Sequence, residues 1–491
     1  MPYPMEELAK LALDEAVTAG ATYADVRVVE ADYESLTVQD ERVEGAVRQT
    51  SRGIGVRVIA GGSWGFAATA RLERSQILAT ARLAVRIARA SATVQRRPVR
   101  LAPSVPVTAT WATPYEQDPF DVSIDDKLDL LLRCTAAANA VPGLTLAVGS
   151  ADAWRTRTWF LSSEGARIDQ TILQVGAGVE CVAIDDGEVQ RRSFPNSFRG
   201  HCGCGGWEDV VALDLPERTP RYAEEAVALL SAPDLPASQT TLVIDGNQLA
   251  LQVHESVGHP LELDRILGFE AAYAGASFVN VGSIGALRYG SPLVNLTLDS
   301  TTPKAMGTFG FDDEGTPATR TPLIVEGVLR GVLSSRETAP ALGHGAVSNA
   351  TMRADSWAHI PLIRMSNIHL EPGDGTLDEL LSDTGQGVFM TTNRSWSIDD
   401  KRVNFQFGCE MAFQIRGGRL GRMYRNPTYA GRTTDFWGSC DAIAGAREWR
   451  VYGTPNCGKG QPPQVARVAH GASPGRFRQV MVGTPRATAA P

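Results

Sequence analysis

Near the start of the chain the apolar residues recur with a helical period. Leu8, Leu11, Leu13 and Val17 are among the positions that predict a helix over residues 6–19. The period then shortens to that of strands. Residues 25–29, 35–39 and 53–59 read as strands, Gly61-Gly62 as a turn, and Trp64 opens a further strand. A second amphipathic helix spans residues 73–90, with Ile77, Leu78, Leu83, Val85 and Ile87 on its apolar positions. Helix, strands and helix in this order predict an amino-terminal α+β domain over residues 1–93.

Residues 94–122 are rich in Pro, Thr and Ala and read as a linker. A helix over residues 123–140 follows, with Asp125 and Asp126 placed to complement its dipole. Residues 144–213 alternate apolar and polar positions like strands, and a helix near residues 222–231 leads into Ala-Pro-Asp-Leu-Pro-Ala-Ser. Residues 123–237 therefore form a middle mixed domain. Residues 240–244 are a buried strand that opens a last domain, 238–491, in which one helix is followed by short strands and Gly-rich turns. Glu326-Gly327 marks the turn of one hairpin, and Gly417-Gly418 that of another.

Composition narrows the class. The hydrophobic fraction is 43% over 491 residues, enough for several sizeable cores. A net charge of −8 gives no basic surface for nucleic acid. No run approaches the roughly 18 apolar residues of a membrane span. The start, Met-Pro-Tyr-Pro-Met-Glu-Glu, lacks the basic and apolar regions of a signal peptide. Seven cysteines are few and odd in number for a disulfide framework, which points to a reducing cytoplasm.

The chemistry concentrates in Val-His254-Glu255-Ser-Val-Gly258-His259-Pro260-Leu-Glu262. Two imidazoles can hold a metal, and a carboxylate between them can act as a base toward water. The spacing H-E-x-x-x-H is one residue longer than the common zinc-protease helix motif. On a regular helix, positions i and i+5 lie about 140° apart, too far for one metal. Two local devices bring the rings together. One is an unwound helix end at His259, pushed out of the helical region by Pro260. The other is a widened turn of the π type. A third ligand is required, and two residues offer one: Glu262, three positions beyond His259, and Cys457, in Pro-Asn-Cys-Gly-Lys-Gly-Gln.

Beyond the metal motif, Asp312-Asp313-Glu314-Gly315-Thr-Pro317, Arg364-Met365-Ser-Asn367 and Cys457-Gly458-Lys459-Gly460-Gln461 follow in order. With His254-Glu255 and His259, Leu261-Glu262 and Asp264, these motifs make the chain resemble the TldD/PmbA family, in its TldD-type catalytic branch. The resemblance covers about the last half of the sequence. It implies a zinc metallopeptidase in which His254, His259 and Cys457 hold Zn2+ and Glu255 is the general base. It also implies a dimer, often with a non-catalytic PmbA-type subunit, although a homodimer fits as well. Pro260 departs from the family pattern. Glu262 is expected to orient a histidine, and Asp313, Glu314 and Gly315 to belong to a mobile loop that handles substrate.

The expected fold is thus α+β: an amino-terminal mixed α/β region followed by a β-rich catalytic domain carrying the zinc-motif helix. The expected function is hydrolysis of peptide bonds in extended or unfolded peptides by metal-activated water, with low sequence specificity, because strand addition reads the main chain. Two other readings stand beside it. One is a non-catalytic peptide-binding or regulatory subunit of a heteromeric protease. The other is a structural zinc site closed by a fourth ligand such as Glu262. His201-Cys202-Gly203-Cys204 reads as a turn with reduced thiols, Cys134, Cys181, Cys409 and Cys440 as packing residues, His344, His359 and His369 as structural, and His470 as a loop residue without a role.

Overall fold

The computed structural model describes residues 5–273 and 275–484. The opening four residues, part of the start read for a leader, lie outside the described residues. The two amino-terminal helices are Met5–Thr18 and Arg74–Ala92. The second buries Ile77, Ala81, Ala84, Val85 and Ala88 and leaves Leu83 and Ile87 exposed. Small residues face the sheet because the Gly65 backbone packs against them: a Cβ on Gly65 would sit 2.1 Å from the Ala84 carbonyl.

Residues 25–29 and 35–39, expected as two strands, are parts of one strand, Tyr23–Gln39. Its polar middle continues because each acidic residue meets a partner on the neighbouring strand Arg42–Ala60. Glu30 lies opposite Arg52, Asp32 opposite Thr50 and Glu34 opposite Arg48, and the side chains bond at 2.5, 2.8 and 3.0 Å. The sheet runs Ser63–Thr69, Arg42–Ala60, Tyr23–Gln39, Leu146–Ser162, Arg167–Asp185, Thr108–Ala112, with Glu188–Phe194 and His201–Cys204 also paired to Arg167–Asp185. Thr108–Ala112 runs parallel to its neighbour and the other pairs are antiparallel. The segment expected as a linker therefore contains an edge strand, for which Thr-Ala-Thr-Trp-Ala has suitable β-branched and aromatic residues. The helix expected at 222–231 begins earlier, at Leu215, because Pro216 fits its first turn. Cys202 and Cys204 are on a buried strand and not in a turn.

The carboxyl-terminal part is built on a second, seven-stranded sheet. Ser238–Ile244 pairs in parallel with Gln386–Ile398 and antiparallel with Gly475–Gly483, which continues through Thr428–Arg432 to Asn404–Arg416. Asn404–Arg416 pairs back onto Gln386–Ile398, closing these five strands into a barrel. The helix Gly246–Val253 leaves the end of Ser238–Ile244 and packs into one large core with Phe405, Phe407, Tyr429, Phe436 and Phe477. A two-stranded hairpin, Arg450–Lys459 with Gln464–Ala472, lies against the same helix. The two halves of the molecule meet through buried ion pairs. Arg57 of the first sheet bonds Asp25 at 2.6 Å and Glu314 at 3.3 Å, and Arg27 bonds Asp313 at 3.1 Å.

Candidate metal centre

Residues 246–261 are all buried. A buried helix needs a partner for each polar side chain, and most of these side chains have one. The Asn247 amide bonds the Thr392 hydroxyl and backbone N–H, Gln248 and Gln252 meet the Tyr429 hydroxyl, and the Ser256 hydroxyl receives the Trp437 indole N–H. These bonds set the rotation of the helix, and with it the direction of the residues one turn on.

The extra residue between the histidines is absorbed by a π turn, His254–Gly258. Its i→i+5 bond runs from the His259 N–H to the His254 carbonyl, and brings the two rings edge to face with centroids 4.9 Å apart. The alternative, an unwound end, is not what forms: His259 keeps helical angles, φ −62° and ψ −43°. Pro260 is accommodated in the first turn of the 3-10 segment that follows. Proline has no N–H for the Ser256 carbonyl four residues back, and the Tyr289 hydroxyl bonds that oxygen instead.

Cys457 arrives from the hairpin. A register irregularity between Thr454 and Cys457 turns its strand locally, and the Arg364 guanidinium bonds the Cys457 carbonyl. Nitrogen or sulfur donors of His254, His259 and Cys457 all lie within 4.8 Å of one another. Cys457 Sγ is 3.7 Å from His259 Nε2. Ordinary zinc–sulfur and zinc–nitrogen bonds in a tetrahedron place such donors about 3.6 Å apart, so the spacing fits a metal of that size.

The electrostatics fit as well. Burial alone would raise the Cys457 thiol, but the His259 ring and the Arg364 guanidinium bring it below its ordinary value. Burial pushes Cys134, Cys181, Cys202, Cys204 and Cys440 up to about 12. Cys409 is raised too, so Cys457 is the one cysteine shifted toward its thiolate. Burial lowers His254 and His259, leaving neutral rings able to donate a lone pair.

The outer nitrogen of each ring is engaged. His254 Nδ1 lies 2.8 Å from His470 Nε2, and His470 Nδ1 lies 3.1 Å from the Ile368 carbonyl. A carbonyl can only accept, so His470 carries its proton on Nδ1 and accepts the His254 Nδ1–H. That arrangement leaves the His254 Nε2 lone pair directed inward. His259 Nδ1 faces Glu262 at 3.4 Å. Burial would raise the Glu262 carboxyl, but Lys459, His259 and Arg265 hold it well below the carboxylate range. Its Oε2 is shared by Arg265 at 2.6 Å and Lys459 at 3.2 Å.

Glu255 is buried beside the site, and Arg402 donates to its Oε2 at 2.8 Å. Arg402 sits at φ +64° at the end of a turn whose Asp399 carboxylate accepts the Val403 and Asn404 N–H groups at 2.9 Å each. Such strain in a residue with a β-carbon persists only where its surroundings enforce it.

Other sequence-based candidates lie elsewhere. Glu314 is occupied by Arg57 and by the Arg336 N–H, and Gly315, at φ +75°, packs on Phe160. Asp313 is bonded by Arg27 and the Ala354 N–H. These bonds place the segment at the junction between the two halves. His369 is held by Thr302 and the Gly471 N–H, and His359 by Asp355. A cavity of about 670 Å3, lined by Trp111, Tyr115, Phe309 and Phe311, contains none of the metal-site residues. His470 and Arg402 escaped the sequence reading. His470 is not a loop residue but belongs to the strand Gln464–Ala472. Its signal was available there, as a polar residue in register with the inward-facing Ala466 and Val468.

Three family models match the chain: PmbA/TldA metallopeptidase domain 1 over residues 24–88, the central domain over 117–232 and the C-terminal domain over 237–483. A metalloprotease of Synechocystis is 30% identical over 94% of this chain and 95% of its own. A zinc metalloprotease TldD homolog of Saccharolobus solfataricus is 23% identical over 42% of this chain and 44% of its own. A solved structure from Thermotoga maritima superimposes with a TM-score of 0.77 at 17% identity, covering 98% of this chain and 100% of that one, which shows the shared fold. Taken with the converged donors, these matches place the chain in the PmbA/TldD metallopeptidase family, as a metalloprotease.

Proposed function

We propose that the protein is a zinc-dependent peptidase that cleaves extended or unfolded peptides with little side-chain specificity. His254, His259 and Cys457 would hold the zinc and Glu255 would be the base. The observation that carries this reading is the convergence of two buried imidazoles and a buried thiol, with donor atoms within 4.8 Å of one another. Bound zinc would supply Lewis acidity toward a water and the scissile carbonyl. Glu255 Oε1 then takes a proton from the attacking water and returns it to the leaving amine nitrogen. Arg402 holds the other oxygen, Oε2, and so aims Oε1. His470 and Glu262 keep the ligand rings oriented. Glu262 is not among the donors that converge within 4.8 Å, which argues against a closed four-ligand structural site. A softer thiolate ligand predicts modest turnover on generic peptides.

Preference for extended substrates is supported by the Cys457 strand, which among the described residues pairs only with Gln464–Ala472 and has open space around Gly458. The seven buried free thiols suit a reducing cytoplasm. Exposed Phe269 and Tyr273, each 61% accessible, support a partner surface for a second copy or a non-catalytic relative. Among the described residues no helix is long and apolar enough to cross a membrane.

The test measures zinc content and cleavage of an unfolded polypeptide together, in wild type and Cys457→Ala. Stoichiometric zinc with proteolysis, both lost in the variant, is the expected result. Zinc retained in Cys457→Ala would remove Cys457 from the ligand set. Full zinc without cleavage in wild type, unrelieved by a PmbA-type partner, would refute the peptidase reading.

A further inference from the structure

A small cavity of about 80 Å3 lies where the first sheet meets the hairpin that carries Cys457. It exceeds the roughly 10–15 Å3 that one water needs. Arg353 and Arg467 line it, together with Gln174, Asp313, Asp355 and Ala466. Both aspartates are already matched. Asp313 is bonded by Arg27 at 3.1 Å and Asp355 by His359 at 2.6 Å. The two arginines are not. Arg353 donates to the carbonyls of Arg467 and Met365, and its Nε is buried without a partner. Arg467 donates Nε to the Gln174 amide oxygen. Neither forms an ion pair among the described residues. Burial, reinforced by the neighbouring Arg364 and Arg467, pushes the Arg353 guanidinium down to about 10. Two half-buried guanidiniums donate to neutral acceptors without an ion pair, in a lining whose carboxylates, Asp313 and Asp355, are already engaged by Arg27 and His359, so the site has capacity for one further anion.

The cavity is separated from the metal donors by one layer of residues. Ala466, in its wall, is the strand partner of Cys457. Met365, whose carbonyl Arg353 holds, has its sulfur 1.9 Å from where a Cβ on Gly258 would be.

We propose that Arg353 and Arg467 form a carboxylate-binding subsite that anchors the peptide substrate, through its free carboxyl terminus or an acidic side chain near it. Planar guanidinium groups suit a carboxylate because they offer paired N–H donors. The assignment to peptide rests on the function proposed above, and the test separates the two.

The full-length protein as purified is used in two arms. In the first, unfolding is followed in acetate and in chloride at equal ionic strength, for wild type and Arg467→Met, with Arg467→Gln as a second variant should the first fold poorly. A rise in Tm specific to acetate, present in wild type and lost in the variant, is expected. In the second arm, kcat/KM is compared for one pentapeptide as free acid, as C-terminal amide, and as the amide with an internal Glu. The free acid is expected to exceed the plain amide by at least tenfold, and the ratio to fall below threefold in the variant. Equal rates for the Glu-bearing amide and the free acid would assign recognition to acidic side chains within the same subsite. An acetate effect that survives in the variant, or no acetate effect with no preference for charge, overturns the proposal. If no peptide is cleaved while the acetate effect appears and depends on Arg467, the subsite stands and the peptidase reading falls.

Discussion

His470→Ala tests the geometry of the metal centre most directly. The ring is fully buried and makes two bonds, one to His254 Nδ1 at 2.8 Å and one to the Ile368 carbonyl at 3.1 Å. Truncation leaves the His254 N–H without an acceptor in a dry environment, and an unmatched buried group costs about 1–3 kcal/mol. It also frees the His254 ring to rotate and to place its proton on either nitrogen. Outer partners of metal-bound histidines typically contribute about 10–100-fold in metal affinity, or roughly 1.4–2.7 kcal/mol, within the range of the lost bond. The expected result is zinc affinity weakened by about 10–100-fold. It is read by competition against a chromophoric chelator, with circular dichroism confirming the fold. His470→Gln keeps an oxygen able to accept the same N–H and should recover much of the loss. Affinity unchanged within about threefold in His470→Ala would refute the argument that this ring sets the tautomer of His254.

Glu255→Ala should retain stoichiometric zinc and lose cleavage by at least about 100-fold; wild-type turnover in that variant would remove Glu255 from its role. Gly258→Ala introduces a Cβ 1.9 Å from the Met365 sulfur, so a lower Tm and about 1–3 kcal/mol of destabilisation are expected from overpacking. Arg57→Ala strands Asp25 and Glu314, both buried, and should destabilise by about 3–5 kcal/mol; limited proteolysis between the two halves would report it. Burial would raise the Asp399 carboxyl, but the N–H groups of Val403 and Asn404 hold it below its ordinary value. Its support of the Arg402 turn is therefore complete above the unfolded aspartate value of about 3.9 and fades as pH falls through the folded value. Hydrogen exchange should show the Val403 and Asn404 amides losing protection there and not above pH 5; protection independent of pH would contradict this.

Much of the architecture was readable because its causes are local. The periodicity of residues 6–19 and 73–90 marked both amino-terminal helices, and Glu326-Gly327 marked its hairpin, with φ +48° and +74° at the turn. Misreadings arose where distant partners decided the outcome. Glu30, Asp32 and Glu34 interrupt an apolar pattern, yet the strand continues because Arg52, Thr50 and Arg48 lie opposite. Asp312-Asp313-Glu314 had the composition of a surface loop, but Arg27 and Arg57, over 250 residues earlier in the chain, draw Asp313 and Glu314 into the junction.

The metal centre divides along the same line. The spacing of His254 and His259 required a departure from the regular helix, either an unwound end or a widened turn, and the residues alone supplied a thiol, two imidazoles and a carboxylate; the structure forms the widened turn. Only the tertiary structure decided that Cys457 reaches His259 while Glu262 turns to Arg265 and Lys459, that His470 stands behind His254, and that Arg402 grips Glu255. Turns and helices are set by dihedral preferences within a few residues. Ligand choice and acidity are set by desolvation and by charges that long-range packing brings together.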